Sequence, residues 1–244
     1  MQSRFFPRTA VLCALATFSA CGGRGSAATD TTAAATAAAA PMSKPVANAE
    51  VAERAADSAQ AVGVPTAVAD VGNHGEDLYD QIKAANWTRA RTIMDSLDVS
   101  VAALSAGDRA QLAAVLDTLH RAVAAHNRND AIEAANRVTF VDAKLTEAYH
   151  PKLPADIVRL DYYGRELEIW AARGDTARLA RTAADLKRTW DAVKPVEISH
   201  GGTSAAAHAD SLVGQIASAR TPAQYARLAT PFLDVVDQLE KPFE

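Results

Sequence analysis

From residue 68 to the C-terminus, apolar residues recur at steps of three and four, and this period decides the fold class. Leu112, Val115, Leu116, Leu119 and Val123 form one stripe. Leu179, Ala183, Leu186, Trp190 and Val193 form a second, and Tyr225, Leu228, Phe232, Val235 and Leu239 a third. Each stripe gives a 3.6-residue helix one face to bury. No stretch alternates apolar and polar residues, and no β-branched run reads as a strand. The expectation is an all-α protein.

The breaks between helices are short and chemically legible. Asn86 ends one helix and opens the next, Ser105-Ala106-Gly107-Asp108 is a stop followed by an N-cap, and Asn127–Asp130 and Gly174-Asp175 act likewise. Thr221-Pro222 places proline at a first helical position. Two longer breaks are expected, at His150-Pro151-Lys152-Leu153-Pro154 and at Lys194–Ser204. Eight helices in four hairpins result, and they look duplicated. The run from Leu78 lies over the run from Leu167, and the run from Leu119 over that from Leu212, at offsets of 89 and 93 residues. The expected architecture is two tandem antiparallel four-helix bundles, 68–150 and 155–244, joined at HPKLP. A solenoid of helical hairpins is the alternative, since a period near 45 residues suits it. Gly164, costly inside a helix, points to close packing at that position.

The N-terminus carries a different signal. Arg4 and Arg8 precede an apolar run, Thr9 to Phe18, that is too short to span a bilayer as a mature helix. Ser19 and Ala20 then stand before Cys21. This arrangement resembles the lipobox of bacterial lipoproteins. The resemblance implies that residues 1–20 are a signal peptide, that Cys21 is the lipidated residue, and that acyl chains hold the protein to a membrane. It also implies a cell-envelope location, with Gly22 after the cysteine favouring the outer membrane, facing the periplasm, in a host that has one. Two or more acyl chains anchor stably where one binds only marginally.

Residues 21–67 read as a tether. Ala, Thr, Gly and Ser dominate from Gly22 to Ala49, and such a segment buries too little surface to offset its ordering entropy. Residues 51–62 have a thin apolar face, enough for a transient helix that Pro65 closes. The chain holds 25 Lys and Arg against 29 Asp and Glu. Loss of the signal removes Arg4 and Arg8 and leaves 23 against 29, a net charge of −6. That balance disfavours nucleic acid and gives no pull toward anionic lipid. The other cysteine, Cys13, lies within the signal, so no disulfide is expected in the mature protein and stability falls to core packing.

Three motifs carry candidate chemistry. Glu147 and His150 form a Glu-x-x-His on one helix face, of the kind that bundle metal sites use in pairs, with Asp161 and Glu166 able to add oxygens. His150 serves equally as a cation at a helix C-terminus. Asp161-Tyr162-Tyr163-Gly164-Arg165-Glu166 is the densest polar run. It reads either as a ladder of surface ion pairs or as a ligand cleft lined by Tyr162, Arg165 and Glu166. Gly72-Asn73-His74-Gly75-Glu76-Asp77 resembles the Gly-x-His-x-x-Glu motif of imelysin-like proteins, with Asp77 at the acidic position. That resemblance implies a two-bundle envelope protein linked to iron, with His74 and Asp77 as ligands. His200-Gly201-Gly202 does not make an esterase loop, because no Gly-x-Ser-x-Gly elbow and no strand accompany it. No haem-attachment motif or phosphate loop is present. Trp87, Trp170 and Trp190 read as core or helix-pair contacts.

The expected function is therefore a lipid-anchored, non-enzymatic helical module of the bacterial envelope that binds a partner protein or a small ligand and needs no cofactor. The alternative is a periplasmic metal-binding or metal-delivery protein using Glu147, His150, His74, Asp77 and Asp161.

Overall fold

The computed structural model describes residues 63–243, and over them the all-α expectation holds. The helices are α1 (Thr66–Lys83), α2 (Trp87–Ala103), α3 (Ala106–Ala124), α4 (Arg128–Thr146), α5 (Ala155–Arg173), α6 (Thr176–Ser199), α7 (Thr203–Ser218) and α8 (Pro222–Glu240). Short 3₁₀ turns follow α4 and α8, at Glu147–Tyr149 and Lys241–Phe243. None of these helices is long and apolar enough to cross a membrane. The signal peptide, Cys21 and the tether up to residue 62 lie outside the described residues. The folded part starts slightly earlier than residue 68, with Pro65 as N-cap of α1 and Val64 and Ala67 packed on the core.

Side-chain caps start most of the helices where the sequence points. Asn86, Ser105, Asn127, Asp175 and Thr221 each accept a hydrogen bond from the backbone N–H three residues on. Such a cap satisfies one of the four donors a helix leaves orphaned at its start. Thr221 and Gln224 complete a reciprocal capping box. One expected break is much shorter than predicted. The helix α6 runs through Pro195 to Ser199, leaving only residues 200–202 as a turn. Proline forfeits one helical hydrogen bond, but Val193 is buried before it, and after it the His200 N–H bonds back to the Val196 carbonyl while its ring packs on Phe243 at 4.8 Å, so contacts on both sides carry the helix onward.

Neighbour relations repeat in the two halves. In the first, α1 packs on α2 and α4, and α3 on α4; in the second, α5 packs on α6 and α8, and α7 on both α6 and α8. Closure of the first helix onto the fourth is what an antiparallel four-helix bundle requires, so the contacts are consistent with two such bundles in tandem. Gly75 and Gly164 sit 89 residues apart and do the same work. A Cβ at Gly75 would lie 3.1 Å from Val138 and Thr139 of α4, and one at Gly164 would lie 2.5 Å from Leu233 of α8. The close packing that Gly164 announced is thus with α8, and its counterpart at Gly75 lets α1 approach α4.

The halves meet through α4 and α5. Asn136 of α4 donates to the Tyr162 carbonyl at 3.1 Å, and Tyr79 of α1 donates to Glu168 of α5 at 2.8 Å. The buried apolar side chains of all eight helices form one continuous core, and the described residues belong to one compact unit. Arg159 clamps the HPKLP connection from both ends, reaching Glu147 at 2.5 Å and Asp156 at 2.6 Å.

Candidate functional site

Helical geometry splits the Asp161–Glu166 run between two faces of α5. Residues four apart share a face, so Tyr162 and Glu166 point one way and Asp161 and Arg165 another. The first pair lies on the floor of a surface groove with Tyr163. One wall is α4, through Glu133, Arg137 and Phe140; the other is α6, through Arg178, Arg181 and Asp185. The groove has two arms that share Arg137, Tyr162, Glu166 and Arg178. One arm, 450 Å³, extends to Val115 and Thr118 of α3; the other, 380 Å³, ends against Tyr163 and Arg181.

The acids of this groove are engaged, though Asp130 only by the neutral Asn127 amide at 2.6 Å. Glu133 is paired with Arg173 at 2.7 Å and Arg178 at 3.2 Å. Asp185 is paired with Arg188. Glu166 accepts from the Trp170 indole N–H at 2.7 Å and from Thr182 at 3.3 Å. Burial raises the Glu166 pKa, and these hydrogen bonds only partly oppose that rise. Burial likewise raises the Tyr162 phenol, with Glu166 adding to the effect.

Two of the arginines are in the opposite state. Among the described residues, neither Arg137 nor Arg181 forms an ion pair, and both are exposed. Arg137 lies over the Phe140 ring at 4.6 Å and reaches the Tyr162 hydroxyl at 3.5 Å. Phe140, Tyr162 and Tyr163 form an aromatic cluster, with centroids 4.7 Å apart for the first pair and 5.2 Å for the two tyrosines. The groove therefore sets the half-buried rings of Phe140 and Tyr163, with Tyr162 buried behind them, in a largely polar lining beside two guanidinium groups that have no acid partner. A larger groove of 640 Å³ lies beside Tyr79, Lys83 and Arg128; Tyr79 is its aromatic lining residue, and of its cations Lys83 and Arg173 are ion-paired while Arg128 is not. There Lys83 holds Glu168 at 2.5 Å, and Arg128 donates to the Lys83 carbonyl at 3.0 Å.

Arg165 does not line the groove expected for it. It faces α1, within 2.9 Å of Asp161, 3.7 Å of Glu76 and 5.1 Å of the Tyr79 ring centroid. The pair with Asp161 is no surface ladder, since the two side chains are only 12% and 14% exposed. It is close but poorly aligned: Asp161 Oδ2 and Arg165 Nη1 both lack a hydrogen-bond partner. Asp142 of α4 joins this region, its carboxyl pressed on α1 where a Gly72 Cβ would lie 2.5 Å from Oδ2. Burial, with Glu76 nearby, lifts the Asp142 pKa to about 7. Burial also lifts Asp161 to about 7, against the opposing pull of Arg165.

The five residues considered for a metal are not gathered into one. Glu147 is exposed and held by Arg159, and Asp161 stands against Arg165. His150 follows the 3₁₀ turn in a left-handed conformation, φ 47°. His74 and Asp77 lie in the middle of α1, not at a helix start. Among the described residues, no three or more His, Cys, Asp or Glu side chains are arranged to hold a metal ion. Of the tryptophans, Trp170 and Trp190 are core, while Trp87 is half-buried and stacks on His126 at 4.8 Å.

Sequence reasoning reached Tyr162 and Glu166 but missed Arg137, Phe140, Arg178 and Arg181. The only local signal was spacing, Arg137 to Phe140 and Arg178 to Arg181 at i, i+3, which many solvated helix faces share. No family model, no curated protein and no solved structure matches this chain.

Proposed function

We propose that this protein is a lipid-anchored, non-enzymatic binding module of the bacterial cell envelope, and that its ligand occupies the groove over α5. The observation that carries the reading is the pairing state of the groove. Its acids are satisfied, whereas Arg137 and Arg181 stand without carboxylate partners beside three aromatic rings. Concave sites with apolar walls and a few convergent polar groups are where small ligands bind. The lipobox-like N-terminus supports the envelope location, with the domain held off the membrane by its Ala- and Thr-rich tether.

Trp170 is a built-in reporter, because its indole N–H is bonded to Glu166 beneath both arms. The full chain in detergent is screened by ¹⁵N NMR against mixed neutral, cationic and anionic small molecules and short peptides. Binders are expected to shift the Trp170 indole signal more than those of Trp87 and Trp190, and to weaken when Thr118→Trp fills the first arm. A screen without binders, or binders that ignore both Trp170 and Thr118→Trp, would overturn the assignment of the groove.

A further inference from the structure

We infer that the occupant of the groove is a small organic anion joining a carboxylate to a flat aromatic body. This rests on the groove being the binding site and adds the chemistry of what enters it. A guanidinium presents parallel N–H donors that match a carboxylate, so an Arg without an internal acid is a vacant half of a fork-to-fork pair. Two such groups line the 380 Å³ arm, Arg137 from α4 and Arg181 from α6. The same arm contains Glu166 and Asp185, but each already has its partners, Trp170 and Thr182 for the first and Arg188 for the second. Asp185 is ion-paired and Glu166 is bonded only by neutral donors, so the arm's two unpaired cations outnumber its one carboxylate without a cation, and the balance favours an anion.

The surface between the two arginines decides the rest. Phe140, Tyr162 and Tyr163 stand at centroid separations of 4.7, 5.2 and 6.5 Å, with tilted and edge geometries. A further ring can stack or insert by an edge on such a cluster. Arg137 is already poised over Phe140 at 4.6 Å, so a carboxylate bound to it would hang beside the rings. Inorganic phosphate would satisfy the arginines but leave the aromatic surface unused. A neutral arene would use the rings and leave both guanidiniums unpaired. The arm's volume sits at the small end of ligand cavities, which span about 300–1,000 Å³, and so suits one fused ring system with a single acid group.

The experiment uses the full chain in detergent with four probes: 2-naphthoate, 2-naphthylmethanol, 2-naphthylmethylamine and inorganic phosphate. The Trp170 indole signal is followed for each. The naphthoate is expected to saturate, with the alcohol, the amine and phosphate each weaker by about tenfold or more, the scale of one lost charge-assisted pair. In Arg137→Gln/Arg181→Gln the naphthoate should lose its advantage over the alcohol. Both residues are exposed, and the probe ranking on the unmodified chain stands whether or not the variant folds. Equal binding of amine and naphthoate would overturn the anion while leaving the groove as a site. Equal binding of phosphate would overturn the aromatic body. Absence of any Trp170 response to naphthoate would overturn the inference whole.

Discussion

Two glycines inside helices have opposite meanings, which neighbouring atoms decide. At Gly164 a methyl group would meet Leu233 Cδ2 at 2.5 Å and Phe232 at 3.3 Å. Gly164→Ala gains helix propensity of about 1 kcal/mol, but forcing α5 from α8 costs roughly 1–3 kcal/mol. The net expectation is a lower melting temperature. At Gly214 in α7 nothing lies within 4 Å of the added carbon, so Gly214→Ala keeps the propensity gain and should raise stability by about 0.5–1 kcal/mol. Urea unfolding of both variants checks the pair; stabilisation by Gly164→Ala would contradict the packing described for α5 and α8. The tight turn after α6 makes a third glycine obligatory, since a Cβ at Gly202 would strike the buried Glu197 carboxyl.

The helix α4 is unusual among the elements in burying a polar seam. Asn136, Thr139 and Asp142 repeat every three residues and are at most 6% exposed. Each carries an oxygen without a hydrogen-bond partner: Asn136 Oδ1, Thr139 Oγ1 and Asp142 Oδ1. Their neighbours on α1 are Gly72, Gly75 and Glu76. An unpartnered buried carboxylate is expensive, so Asp142 holds its proton up to about pH 7. The folded state then binds more protons than the unfolded chain between the ordinary carboxyl range and neutrality, and stability falls as pH rises across that window. Asp161 and Glu76, both raised first by burial, act in the same sense. So does His120, whose bond to Asp98 raises it against the desolvation that would lower it. Asp142→Asn keeps the shape and removes one contributor. Its melting temperature should exceed that of the unmodified chain at pH 8 by roughly 5 °C and converge with it only as pH falls to about 4, the ordinary carboxyl range, on the scale of a few pKa units shared by a domain this size. Parallel pH profiles for the two chains would refute this account of α4.

At the scale of the molecule, the proposed attachment through Cys21 can be tested apart from the folded helices. No described helix is able to cross a bilayer, and a net charge of −6 for residues 21–244 offers no attraction to anionic lipid. If acyl chains on Cys21 are the attachment, Cys21→Ser should move the protein from the membrane fraction to the soluble one. Retention in that fraction after a high-salt wash would show that something other than Cys21 holds it.

The local chemistry of this chain was readable in its residues. Periodic leucines and valines dictate helices, and Asn86, Ser105, Asn127, Asp175 and Thr221 mark where most of them begin, because capping acts over three residues and needs no distant partner. The i, i+4 rule likewise places Tyr162 with Glu166 and Asp161 with Arg165 before any fold is known. What lies opposite those faces is a matter of helix packing. Glu133 reaches Arg173 across 40 residues and Arg178 across 45, and the pairing leaves Arg137 and Arg181 as the groove's free cations. Pro195 shows the same limit from the other side: its local preference to end a helix is outweighed by the burial of Val193 before it and the packing of His200 on Phe243 after it, which tertiary contact supplies. Burial, partner and charge state at a site are sums over neighbours distant in the chain. The sequence therefore specifies the helices and their faces, and only the packed structure decides which polar groups are satisfied and which remain open to a ligand.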